Sequence, residues 1–175
     1  MTKYLFTFIC SLSLLFACSS LLKKDNSPNK STSFGSISAK LNGANWSGAW
    51  CSSLIAAFGN TQVLTINGQV TEKVIDEVIV IGISSFTGMG TYTYGGATDK
   101  TSLSIKYKNK NYGLKKLSIG GGGGSGTIKI TEFVKANGIL NPGKAVGEFS
   151  GTILETTSNE VLTISNGKFN SVIVL

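Results

Sequence analysis

A two-residue rhythm is the strongest constraint on this chain. In SLSIKYK, residues 102–108, Leu103, Ile105 and Tyr107 alternate with Ser104, Lys106 and Lys108. An extended chain sends successive side chains to opposite faces, so the segment predicts a strand with one face on a core and one in water. GTIKITE and VLTIS repeat the pattern in shorter form. VIVIGI, residues 78–83, is apolar on both faces and predicts a central strand covered on both sides. LNGAN, INGQ and SNGK each set Asn before Gly, the pair suited to the positive φ angles of tight hairpin turns. VTEKVIDEV comes nearest to helical spacing and reads as a charged loop leading into the central strand. The expected fold class is all-β, an antiparallel β-sandwich or partly closed β-barrel of roughly ten strands.

The first residues follow another logic. Lys3 precedes an apolar run at 4–17, interrupted by Thr7, Ser11 and Ser13. A membrane-crossing helix needs roughly 20 apolar residues, so this shorter run predicts a signal peptide over 1–17. LFAC, residues 15–18, resembles the lipobox of bacterial lipoproteins, in which the cysteine is acylated and becomes the mature N-terminus. Residues 18–33 then form a lipidated N-terminus and a flexible tether rich in Ser, Asn and Lys. Residues 34–175 form a single all-β domain, large enough to bury a core without disulfides. Of three cysteines, Cys10 leaves with the signal, Cys18 is acylated and Cys51 has no intramolecular partner. A buried apolar role suits Cys51 better than a reactive one.

Chemistry is restricted by what is missing. The sequence holds no His and no Arg, and its formal charge of +7 comes from Lys alone, falling to +6 once Lys3 is removed with the signal. Without His the usual general base, metal ligand and nucleophile partner are gone. Without Arg, bidentate phosphate recognition is gone, which argues against a nucleic-acid partner. The glycine run at 119–127 lacks the lysine of a phosphate loop and predicts a flexible hairpin loop. Asp76 and Glu77 form the one close acidic pair, and adjacent strand residues face opposite ways. Glu148, Glu155 and Glu160 stand at solvent-facing positions. A non-enzymatic domain with no catalytic residue, metal or cofactor is expected, ahead of a glycan hydrolase with paired carboxylates.

Aromatic residues supply the binding candidates. Trp46 and Trp50, in NWSGAWC, have the same parity and would share a face of an extended chain, as a platform for sugar rings or the mouth of a calycin-like barrel holding a small apolar or glycan ligand. Their competing role is to plug the core. Lys106, Tyr107, Lys108, Lys110, Tyr112, Lys115 and Lys116 form a candidate basic-aromatic surface for an anionic polymer, or the charged face of an edge hairpin.

FGSISAKLNGANWSG, GMGTYTY, GTIKITE, AVGEFSGTIL and LTISNGKF together resemble a family of Bacteroidota lipoproteins classed as a domain of unknown function. The resemblance spans about residues 34–169, with its most specific part in Gly-x-Phe-x-Gly followed by ISNGKF. It implies an all-β fold, a palmitate-bearing outer-membrane lipoprotein facing the periplasm or the cell surface, and no carried-over catalytic residue. The membrane is then a partner through the lipid, with a glycan, lipid or protein as the further partner. Gly90 and Gly147 are expected to let the chain turn or bulge where strands enter the sheet.

Overall fold

The computed structural model describes residues 34–70, 76–96, 98–116, 122–138 and 140–174. The expected signal, Cys18 and the tether lie outside the described residues, as does most of VTEKVIDEV. The described residues form twelve strands: β1 (Ser36–Leu41), β2 (Ala44–Gly48), β3 (Trp50–Phe58), β4 (Thr61–Gln69), β5 (Val78–Ser84), β6 (Gly90–Tyr94), β7 (Thr101–Tyr107), β8 (Lys110–Gly113), β9 (Lys115–Lys116), β10 (Gly122–Val134), β11 (Gly143–Glu155) and β12 (Val161–Val174). The all-β expectation holds.

Pairing runs β2-β1-β12-β3-β4-β5-β7-β8-β11-β10-β6, and β11 also pairs with β12. That extra pairing closes a seven-stranded ring, β12-β3-β4-β5-β7-β8-β11, from which β1 and β2 extend on one side and β10 and β6 on the other. The ring turns two corners. Residues 172–174 of β12 pair with residues 52–54 of β3 in parallel, and Leu154 and Glu155 of β11 pair with Gly113 and Tyr112 of β8. Since Gly143 faces Ile173 and Leu154 faces Val161, the corners stand at opposite ends of the β11–β12 pair. The layer β3-β4-β5-β7-β8 is therefore crossed obliquely by the layer β2-β1-β12-β11-β10-β6. Between them Leu64, Ile66, Ile79, Ile81, Ile83 and Ile153, each fully buried, occupy the interior.

Irregularities decide which residues reach that core. Pairing to β1 steps from Ser38–Lys168 to Lys40–Ser165, and pairing to β11 from Phe149–Gly167 to Gly151–Ile164. Both neighbours skip at the same place, so β12 carries the extra residue near Asn166, whose φ is 53°. Leu162 and Ile164 point inward before it, and Phe169, Ser171 and Ile173 after it. SNGK is thus a bulge within a strand rather than the expected hairpin turn, and INGQ lies wholly inside β4. LNGAN does turn the chain, with φ of 49° at Asn42 and 81° at Gly43.

Two further expectations are corrected. Residues 122–127 of the glycine run belong to β10 rather than to a loop. A side chain at Gly124 or Gly126 would strike the β11 backbone and, at Gly126, also the hydroxyl of buried Tyr94, which donates to the Ser150 carbonyl at 3.1 Å. The central strand β5 is buried on one face only. Val78 and Val80 on its other face are half-buried.

Candidate functional site

Two long paired strands each carry Gly-charged-Phe: Gly147-Glu148-Phe149 on β11 and Gly167-Lys168-Phe169 on β12. Antiparallel pairing sets Gly147 opposite Phe169, Glu148 opposite Lys168 and Phe149 opposite Gly167. Each ring lies over the other strand's glycine, where a Cβ would have no room. The rings stand 6.4 Å apart, tilted by 36°, and both are buried. Gly147 therefore sits mid-strand to admit a ring, not at a strand entrance as the sequence suggested. The same reciprocity sends Glu148 and Lys168 outward, side by side, on the opposite face.

That outer face is built from alternation. A single transverse row crosses six strands: Ser47, Ser38, Lys168, Glu148, Lys129 and Thr91, each the register partner of the next. All six are exposed. At the usual strand spacing the row spans about 24 Å. Two adjoining open depressions, of about 360 and 400 Å³, meet at Glu148 and Lys168. Hydroxyls and amides line part of each, Ser36, Asn170 and Thr131 in one and Thr127, Ser150 and Asn166 in the other, beside Val146, Phe149, Phe169 and strand glycines. Lys40, in the adjoining row opposite Asn45 and Ser165, adds a third cation. Glu148 thus has lysines on both sides and leaves the row one net positive charge. Such a surface can offer hydrogen bonds and charge to an extended ligand.

The expected aromatic site is distributed differently. Ser47, Gly48 and Ala49 separate Trp46 on β2 from Trp50 on β3, and β1 and β12 stand between those strands in the sheet. Trp46 is buried, and its Nε1–H donates to Glu77 Oε2 at 2.9 Å. Trp50 packs on Phe34 at 5.7 Å, and its Nε1 is buried without a hydrogen-bond acceptor among the described residues. Glu77 Oε1 also accepts from the Lys108 backbone N–H at 3.4 Å, so this acid links β2 to the β7–β8 turn.

The basic-aromatic candidates are only partly at the surface. Tyr112 belongs to the core, Tyr107 is half-buried and Lys108 stands 5.0 Å above the Tyr107 ring. Lys110 pairs with Glu160 at an exposed position, where solvent screens the contact and leaves it weak. Lys106 is half-buried on β7, while Lys115 and Lys116 form β9, their side chains outside the described residues. Cys51 is buried, as expected, and burial pushes its thiol up to about 12, so it stays protonated and inert at neutral pH. Among the described residues, no group of three or more His, Cys, Asp or Glu is placed to hold a metal ion.

Glu155 departs from its solvent-facing expectation. It is buried, and its Oε2 accepts from the backbone N–H groups of Ser158 and of Thr157, the latter at 2.8 Å. The Ser158 N–H, followed by that of Thr157, holds the carboxyl below its ordinary value of 4.5. A depressed native value means stability present above the unfolded value and lost as pH falls through the native one. Glu155→Gln is therefore expected to lower the urea midpoint at pH 7, with the gap to wild type closing as pH drops below that ordinary value of 4.5. A gap that stays constant from pH 7 to pH 2.5 would remove the charge from this account.

Sequence reasoning missed the row through Glu148 and Lys168. The duplicated Gly-charged-Phe tripeptide was the available signal, because two such strands paired antiparallel must set their charges together. A family model described as "Domain of unknown function (DUF6252)" matches residues 35–173. No curated protein and no solved structure matches the chain.

Proposed function

The chain belongs to the DUF6252 family, and from that premise we propose a lipid-anchored, non-enzymatic domain of the bacterial outer membrane that holds an extended, hydroxyl-rich polyanion across its outer β-face. The supporting observation is the transverse row with Glu148 between Lys129 and Lys168, set in two confluent depressions that hydroxyls and amides line in part. An acidic polysaccharide suits this chemistry. Its hydroxyls match Ser, Thr and Asn, its carboxylates match the lysines, and its length matches a row rather than a pocket. Side chains occupying the ring interior support an external ligand over an interior one. Without aromatic stacking or bidentate arginine each contact is weak, so affinity comes from repetition along the polymer.

The test is binding of the mature protein to alginate and polygalacturonate, with neutral dextran for comparison. Lys129→Glu/Lys168→Glu is expected to weaken binding to the acidic polymers by about tenfold or more, equivalent to about 1.4 kcal/mol, and Glu148→Gln to strengthen it. Both changes lie on exposed positions, so thermal midpoints should shift little. Equal affinity in the double variant, or no binding of any polymer by the wild type, would refute the reading.

A further inference from the structure

We infer that the end of the molecule formed by the β3–β4, β5–β6 and β10–β11 connections is a bilayer-contact surface. Five large apolar side chains are exposed among the described residues, and four are carried there: Phe58, Met89, Val134 and Leu140, the last 92% exposed. Three sequence-distant connections converge to present them. The Phe86 N–H donates to the Gln62 carbonyl at 2.8 Å, tying the β5–β6 connection to the β3–β4 hairpin. The Phe86 ring meets Phe133 edge-on at 5.0 Å, tying it to the end of β10. Tyr92 stacks on Phe86 and donates to the Gly88 carbonyl at 2.8 Å, fixing the segment that bears Met89. The Asn137 N–H donates to the Asn141 carbonyl at 3.0 Å, closing the loop that bears Leu140.

This frame holds apolar groups in water on well-bonded connections, each forgoing the gain of burial. The groups project from separate connections instead of lining a socket. A protein partner would need a matched cavity for each, whereas the interfacial region of a bilayer accepts projecting apolar side chains of any shape. Charge agrees with a leaflet containing anionic lipid. Lys135 is exposed beside Val134, and the nearby acid Glu132 is neutralised by Lys144 at 3.0 Å. The inference rests on the lipid-anchor reading. From an acylated Cys18, residues 19–33 extend at most about 50 Å, which keeps the domain within reach of the leaflet.

The test uses the acylated protein in vesicles containing phosphatidylglycerol and spin-labelled lipid. Leu140→Cys carries a nitrobenzoxadiazole label, and Val161→Cys, the exposed apolar position elsewhere, is the control. Native Cys51 is buried and takes no label. Quenching at position 140 is expected to exceed that at 161 roughly threefold and to be lost when Phe58→Glu is added. Mass analysis of the N-terminal peptide reports the anchor separately. An acylated, vesicle-bound protein with equal quenching at 140 and 161 would overturn the contact surface and leave the anchor standing. A peptide without acyl mass, together with no flotation, would overturn the anchor and the contact surface with it. Protection of position 140 by membrane-protein extract without lipid quenching would assign the surface to a protein and overturn the proposal.

Discussion

Gly147→Ala is expected to lower unfolding free energy by about 3 kcal/mol, at the upper end for overpacking a dense core. The added methyl would be built against both the Phe169 ring and the Lys129 carbonyl. Neither can yield cheaply, because the ring is buried against Phe149 and the carbonyl belongs to the β10–β11 ladder. Gly113→Ala supplies the control. Nothing stands within 4 Å of its added Cβ, and its effect should remain within about 0.5 kcal/mol. Urea denaturation of both variants, with Phe169→Leu and the Gly147→Ala/Phe169→Leu pair, completes a cycle. Relief of the ring clash should make the double variant more stable than the sum of the single losses by about 1 kcal/mol. Strict additivity would show that ring and glycine do not share the space assigned to them.

Trp46→Ala should cost about 3–5 kcal/mol, the range for removing a buried indole. Trp46→Phe keeps most of the ring but withdraws the donor to Glu77, for a loss of about 1–3 kcal/mol, characteristic of hydrogen bonds to charged groups. Glu77→Gln keeps an acceptor and should lose less than either. This ordering identifies Trp46 as the plug between β2 and the β4–β5 end of the other layer. A Trp46→Ala protein that kept the wild-type urea midpoint while losing polymer binding would reverse the conclusion and restore the indole as a ligand platform.

The reading of the sequence succeeded where side-chain period alone governs structure. Leu103 and Ile105 are buried as the SLSIKYK rhythm requires, and Lys108 and Asn109 close the hairpin behind it. It failed where one dipeptide serves several backbones. Asn-Gly makes a turn at Asn42, continues a strand at Asn67 and makes a bulge at Asn166, and only long-range pairing separates these uses. Glycines misled for a related reason. Gly126 and Gly147 are required by a tyrosine and a phenylalanine distant in sequence, so no local pattern reveals the need. The row through Ser38, Lys168, Glu148 and Lys129 was hidden likewise. Each residue reads as ordinary solvent-facing polarity until the register aligns four strands.

The seven-stranded circuit depends on both long edges of β12, which meets β11 along one side and β1 and then β3 along the other. Its last pairings, at residues 172–174 with residues 52–54, join partners well over a hundred positions apart. A nascent chain therefore cannot seal its barrel while residues 161–174 are still being made, and earlier strands wait with open edges. Such distant closure slows folding and leaves an interval in which the polypeptide remains open and threadable.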